Sequence, residues 1–164
     1  MPRYANDGYI QAVWVTTVVD KDFPSQSVLN AAEDLACHMT KDGLKTGFTE
    51  NEVDDGALCE TYDATLPGSY KTAVELTLKR RNTVGGDTDV AWDLLSNRGE
   101  VGTLVVRRGV PAETPWAASQ AVESYPGSLG IRRPADVATN EQSKFMLTIF
   151  GSEAPSLDGV VVAS

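Results

Sequence analysis

The sequence is poor in the residues from which most catalytic and metal sites are built. It has one histidine, His38, and two cysteines, Cys37 and Cys59. A nucleophilic hydrolase needs a base near its serine or cysteine, and histidine is the usual base. Adjacent side chains of a strand point to opposite faces, so His38 is not expected to pair with Cys37. We expect a structural role for His38, no zinc site, and two free, buried thiols.

Motifs for phosphate and calcium are missing as well. Gly85-Gly86 precedes a predicted helix, but no P-loop lysine and no G-x-G-x-x-G motif is present. Asp54-Asp55-Gly56 lacks the ligand register of a calcium loop. We therefore expect no cofactor, no metal and no catalytic site. An acidic hydrolase with paired carboxylates stays open as an alternative, because the separation of two carboxylates is not visible in a sequence.

Long hydrophobic runs are absent too. No stretch of about 18 apolar residues occurs, and no basic start precedes an apolar run, so we expect neither a membrane span nor a signal peptide. With 164 residues and 41% hydrophobic content, the chain is long enough for one domain with a core.

Basic residues are scarce in the first part of the chain. The net charge is −9, and residues 1–69 hold 4 Lys or Arg against 12 Asp or Glu, whereas residues 70–164 hold 10 against 11. Six acidic residues follow one another without an intervening base: Glu50, Glu52, Asp54, Asp55, Glu60 and Asp63. This region would repel nucleic acid.

Alternating apolar and polar residues are abundant. The segment Ala57–Arg81 predicts one long β-hairpin, with its turn at Pro67-Gly68. Its second arm, at about 40 Å for about 12 residues, exceeds the usual strand length. A chain of this size cannot cover both edges of such a ribbon, so the pattern points to self-assembly.

The remaining pattern predicts a mainly β, antiparallel sandwich or barrel with one flanking α-helix, at about 87–98, on which Trp92 is a core or edge anchor. Lys41–Asp55 is polar and weakly periodic, and is predicted to be a long loop. Further strands are predicted at Gln11–Val19, Leu35–Thr40, Gly102–Arg107, Ser119–Tyr125 and Gln142–Phe150, and the tail 155–164 is a short strand or an unpaired terminus.

Two basic pairs stand out in this acidic chain. Arg80-Arg81 and Arg107-Arg108 could bind phosphates or acidic partners, meet the acidic region of a neighbouring copy, or be solvated charges at strand ends.

The run from Thr46 to Gly109, TGFTENEVDDGALCETYDATLPGSYKTAVELTLKRRNTVGGDTDVAWDLLSNRGEVGTLVVRRG, resembles the major tail tube proteins of long-tailed bacteriophages, particularly those infecting actinobacteria. A YPG turn at Tyr125–Gly127 and the Lys144–Phe145 strand extend the resemblance, which covers about Ala12 to Val162.

The resemblance implies a β-sandwich with one helix, which assembles as hexameric rings stacked into a tube for the genome. It implies that Ala57–Arg81 contributes to a shared inner barrel and that residues 41–56 form a loop between rings. The first 24 and last 14 residues would be arms that reach neighbours. The implied partners are other copies of the chain and the tape measure, tail terminator and distal tail proteins.

Candidate residues follow from this assembly. An acidic channel wall would keep DNA from sticking, and the candidates that face it are Glu60, Asp63 and Glu75. The candidates for contacts between subunits are Asp42, Glu50, Glu52, Asp54, Asp55, Arg80, Arg81, Arg107 and Arg108. The alternatives are a tube protein of a contractile injection or secretion system and a β-sandwich that binds carbohydrate or protein.

Overall fold

The computed structural model describes residues 6–17, 20–59, 61–62 and 64–163. These residues form eight strands: β1 Ile10–Val15, β2 Met39–Asp54, β3 Thr65–Lys79, β4 Val101–Arg108, β5 Ala121–Leu129, β6 Arg133–Pro134, β7 Lys144–Gly151 and β8 Ser156–Val160. They also form two short helices, α1 Gln26–Ala31 and α2 Val90–Leu94, and a 3₁₀ turn at Ala36–His38. None of the helices in these segments is long and apolar enough to cross a membrane.

The strands form one antiparallel sheet in the order β1-β4-β5-β7-β3-β2, with β6 paired to β7 and β8 paired to β5. Strand β5 joins two halves of the sheet, because one of its edges pairs with β4 over Glu123–Ser128, and its other edge pairs with β8 over Ala121–Ser124 and with β7 over Gly127–Leu129. Buried side chains of β1 and β4 share one core with those of β3 and β7. The sheet therefore curls back on itself, and the predicted mainly β, antiparallel fold is confirmed.

The main core is built from alternate residues of paired strands. Val74, Leu76 and Leu78 of β3 lie opposite the alternate residues Ile149, Leu147 and Phe145 of β7, and all six are buried. Each such side chain contributes about 1.5–3 kcal/mol when fully buried. Helix α2 covers the end of this core, where Trp92 packs edge-on against Phe145 with ring centroids 5.0 Å apart. Trp92 is therefore an edge anchor of the core, as predicted.

A second, smaller cluster lies on the other face of β1 and β4. There Val13, Val15 and Val105 pack with Leu29 of α1 and with Trp116. Residues 12–15 are all buried because β1 is covered on both faces, which explains its continuous apolar run.

The long hairpin exists, but its strands differ from the prediction. Its first arm is β2, so the segment 41–55 is mostly strand and not a loop, and the connection lies at 55–64. The predicted turn at Pro67-Gly68 is wrong, because both residues lie inside β3 where the ladder shifts register opposite Glu50 and Glu52. At this irregularity proline is tolerated, and a Cβ on Gly68 would meet the Asn51 carbonyl oxygen at 2.8 Å.

Other elements also begin or end at residues that differ from the prediction. The strand predicted at Leu35–Thr40 is a 3₁₀ turn followed by the start of β2, and the YPG sequence at Tyr125–Gly127 lies inside β5 and forms no turn. The helix predicted at 87–98 is confirmed only over Val90–Leu94, and α1 is a second, short helix. The strands predicted at 102–107, 119–125 and 142–150 are confirmed, with β8 as the short strand of the tail.

Two segments of the predicted terminal arms pair within the protomer. Residues 10–15 form a buried strand and residues 156–160 pair with β5, and the contact of the arms with neighbouring subunits stays a prediction. The two thiols are free, as predicted, but both are exposed, so their predicted burial is wrong. His38 is buried, and its Nε2 lies 3.9 Å from Glu33 Oε1.

Candidate assembly surface

The outer half of the β2–β3 hairpin extends beyond the rest of the sheet. Strand β3 pairs with β7 only over Ala73–Lys79, so its first eight residues, 65–72, have β2 as their one strand partner among the described residues. Eight strand residues span about 26 Å. We call the segments 47–54 and 65–72 the outer hairpin. A two-stranded ribbon of this length is marginally stable in water on its own, so it needs a covering surface.

The core-facing side of the hairpin continues onto the outer hairpin. Thr46 and Val74 are paired within the protomer, and the next pairs along the same face are Phe48 with Thr72 and Glu50 with Tyr70. Phe48 is 44% exposed and Tyr70 is 49% exposed. These rings are diagonal neighbours on one face and could pack together against a partner. Phe48 and Tyr70, which we call the apolar stripe, therefore continue the core face into solvent.

The far edge of β2 is open. Strand β2 pairs only with β3 in the described segments, whereas the edges at β1 and β8 have backbone partners from their own chain. On β1, the Leu35 amide donates to the Ala12 carbonyl at 2.7 Å, and next to β8 the Val160 amide donates to the Asp22 carbonyl at 2.9 Å. An open edge of 16 residues carries backbone donors and acceptors that a strand from another chain can satisfy.

The end of the outer hairpin is acidic. Glu50, Glu52 and Asp54 pair with Tyr70, Pro67 and Thr65, none of which is basic. Asp55 follows directly, and all four acids are exposed, as is Asp42 near the start of β2. Two further candidates, Glu60 and Asp63, lie outside the described residues. Four of the five acids predicted to contact neighbouring subunits thus lie on or directly after this accessible projection, and Asp42 lies outside it.

Two of the predicted arginines lie at the opposite end of β3. From Thr65 to Lys79 the strand spans about 46 Å, and Arg80 and Arg81 follow it. Arg81 is exposed. Arg80 is held in the protomer, because its Nε contacts the buried Asp89 carboxylate and its guanidinium lies 3.7 Å from the Trp92 ring centroid. The acidic and basic ends are far apart in one subunit, so they can meet only between subunits.

Arg107 is not available to a neighbouring subunit. It is fully buried, and its guanidinium donates to the carbonyls of Pro111, Thr114 and Pro115 at 2.7–3.2 Å. Burial lowers the pKa of Arg107 below its ordinary value, and the charge of Asp34 offsets part of this shift. The side chain fixes the loop 109–120, so its assignment to an intersubunit contact is wrong.

Arg108 belongs to a polar group at the margin of the core. Its Nε donates to Glu123 Oε1 at 3.0 Å, and the Tyr125 hydroxyl donates to Glu123 Oε2 at 2.8 Å. Burial raises the pKa of Tyr125 above its ordinary value, and the hydrogen bond to Glu123 adds to the shift. Arg108 is 30% exposed, so only part of it can reach another subunit.

Glu75 lies on the exposed side of β3, directly opposite Lys45 of β2. It therefore faces away from the core, and its place in a channel stays a prediction.

Sequence reasoning missed the exposed apolar residues of the outer hairpin. Phe48, Val53, Leu66 and Tyr70 are 44–52% exposed, and none was a candidate. A signal was present, because Phe48 and Val53 interrupt an otherwise polar segment. Because the turn was predicted at Pro67-Gly68, the pairing of Phe48 and Val53 with residues of β3 could not be foreseen.

A family model for phage tail tube proteins matches residues 1–164. The chain belongs to the phage tail tube protein family. It is thus a structural subunit of the tail tube of a phage or phage-like particle, and the predicted resemblance is confirmed at this level. Among curated proteins the sequence finds no match.

Solved structures show the same fold as this tail tube protein at low sequence identity. The tail of an empty GTA particle, refined with C6 symmetry, matches with a TM-score of 0.54 and 13% identity over 96% of this chain and 100% of that chain. The virion of a native gene transfer agent particle matches with a TM-score of 0.53 and 14% identity over 96% of this chain and 100% of that chain. The six-fold symmetrised baseplate of the anti-feeding prophage matches with a TM-score of 0.60 and 10% identity over 97% of this chain and 98% of that chain.

Proposed function

We propose that this tube subunit forms hexameric rings, which stack into a tail tube whose channel conducts the phage genome. The open edge of β2 carries the proposal. A contact between this edge and a different surface of the next copy closes a ring when the rotation closes. Six sheets joined in this way form one barrel without exposed edges. Two of the similar structures, the GTA tail and the anti-feeding prophage baseplate, have six-fold symmetry, which supports six copies.

The proposal also assigns the faces of the sheet. The core face of β3 and β7 is covered by the β1–β4 half of the same subunit, so the opposite face is left for the channel. Glu75 lies on that opposite face, and we propose that it faces the channel together with Glu60 and Asp63.

Charge complementarity supports stacking of the rings. The acidic outer hairpin, with Glu50, Glu52, Asp54 and Asp55, would meet the basic end of β3 at Arg81 on a copy in the next ring. We assign Asp42 and the exposed parts of Arg80 and Arg108 to the same type of contact. Rim charges of this kind guide association and weaken at high salt.

Imaging of the purified chain tests the proposal. We expect rings or tubes in negative stain for the native chain, and fewer for Phe48→Asp, which places a charge on the apolar stripe. Phe23→Asp is the matched control, because Phe23 is 56% exposed and lies outside the hairpin. A native chain that stays monomeric at high protein concentration across salt conditions would contradict the proposal.

A tube of a contractile injection machine is the second candidate. The match to the anti-feeding prophage baseplate, with a TM-score of 0.60, favours it as much as the other matches favour a particle that carries DNA. Imaging of intact particles distinguishes the two, since a particle that conducts a genome carries a DNA-filled head on its tube and an injection machine does not.

A further inference from the structure

The face of β2, β3, β6 and β7 that points away from the core is basic. Register places Lys45 of β2 and Lys71 and Lys79 of β3 on this face. Lys144 of β7, which pairs with Lys79, and Arg133 of β6, which pairs with Met146, lie on it as well. These five basic residues define the cationic face. The strands contribute one acid to it, Glu75. In a chain with a net charge of −9, this concentration of positive charge runs against the overall composition.

Local acids neutralise only part of the cationic face. Glu75 lies directly opposite Lys45, and Lys144 Nζ lies 3.1 Å from Glu141 Oε2. Lys71, Lys79 and Arg133 form no salt bridge with any residue that the structure describes. Lys71 and Arg133 are exposed, and Lys79 is half-buried. Three positive charges thus remain available to an outside partner.

Hydroxyl groups lie between these charges. Thr49, Thr77 and Thr148 share the face, and Arg133 Nη2 donates to Thr148 Oγ1 at 3.4 Å. Lysine ammonium groups and threonine hydroxyls both donate to phosphate oxygens, and such contacts carry no direct sequence information.

We propose that the cationic face binds the phosphate backbone of duplex DNA in the tube channel. This inference rests on the proposed function, which leaves this face to the channel. Lys71 and Lys79 are eight residues apart, about 26 Å along β3, and a duplex carries one charge per about 1.7 Å of its axis. Phosphates of a duplex that lies along β3 therefore come within reach of both lysines. Glu75 was expected to make the channel wall repel DNA. This expectation is not met in this part of the channel, because the cationic face has five basic side chains against this one carboxylate.

Binding of this kind is loose and sequence-independent. A lysine ammonium group binds phosphate as a point charge and lacks the planar, two-pronged donor geometry of an arginine. We therefore do not expect the lysines to recognise particular bases. Salt screens the attraction within about 8 Å at physiological ionic strength. Contacts of this kind break easily, so they do not block the passage of the duplex.

Fluorescence anisotropy of a labelled 30-base-pair duplex, titrated with the full chain at several salt concentrations, tests the proposal. Lys71→Gln with Lys79→Gln removes two positive charges from the face. The control, Lys41→Gln with Arg98→Gln, removes two exposed charges elsewhere. We expect the first pair to lower affinity at about 50 mM salt at least tenfold and to reduce the salt slope by about 2, with little change for the control.

Two results would overturn the inference: no binding of the duplex at low salt, or equal losses for both pairs of substitutions. A third concerns the partner. If a peptide with the sequence of residues 49–56 binds the face and the duplex does not, the face is a contact between subunits. Grids of the same samples report tube formation separately. Tubes without DNA binding would remove only this inference, and DNA binding without tubes would remove the proposed function.

Discussion

Truncation of Phe48 to alanine tests whether the outer hairpin is an assembly surface. Full burial of such a side chain contributes about 1.5–3 kcal/mol. Since Phe48 is 44% exposed in the protomer, about 1 kcal/mol remains to be gained at a subunit contact. A growing tube buries one additional Phe48 for every added subunit. About 1 kcal/mol per subunit corresponds to about a fivefold change in an equilibrium constant.

We therefore expect Phe48→Ala to raise the critical concentration for tube formation about fivefold. Sedimentation of tubes from a dilution series measures this concentration. The unfolding free energy of the unassembled chain should fall by less than about 1 kcal/mol, because the outer hairpin lies beyond the core. Leu76→Ala, at a fully buried position, should cost about 2–5 kcal/mol in the same unfolding assay.

Phe23→Ala is the control for a general effect of removing an exposed ring. Equal critical concentrations for the native chain and Phe48→Ala would refute the assignment of this surface. So would a loss of monomer stability as large as that of Leu76→Ala, since Phe48 would then act within the protomer.

Three further predictions concern the protomer itself. Arg107→Met should lower the unfolding free energy by about 2–4 kcal/mol in urea, because three carbonyls of the loop 109–120 lose the buried donor that holds them, and Arg107→Lys should restore little of it. Arg80→Ala should cost about 2–3 kcal/mol, because Asp89 is left buried without its partner, and adding Asp89→Asn should recover part of the loss; an unchanged melting temperature would contradict this. Burial raises the pKa of Asp34, so the folded state binds its proton more tightly than the unfolded state, and this contribution to stability is lost as the pH rises through the raised pKa. The stability of Asp34→Asn relative to the native chain should therefore be greater at pH 7 than at pH 4 in chemical denaturation, and the opposite trend would contradict the burial effect.

The sequence alone predicted the fold class and the charge distribution. Val74, Leu76 and Leu78 alternate with polar residues, and such a pattern follows directly from a strand with one buried face. The strands at 102–107 and 142–150 were identified for the same reason. The acidic region at Glu50–Asp55 was also visible, because charge is a property of composition.

The tertiary structure decided where the hairpin turns and which residues remain exposed. In the outer hairpin, no strand of the described segments other than β2 and β3 pairs with the ribbon, so polar and apolar residues mix there and the local period is lost. The burial of Arg107 depends on carbonyls brought to it by a separate loop. Likewise, the cationic face exists because register aligns basic residues of four strands that are far apart in the chain. Alternation is a local property that a sequence displays directly, whereas edges, coverage and cross-strand neighbours depend on long-range pairing.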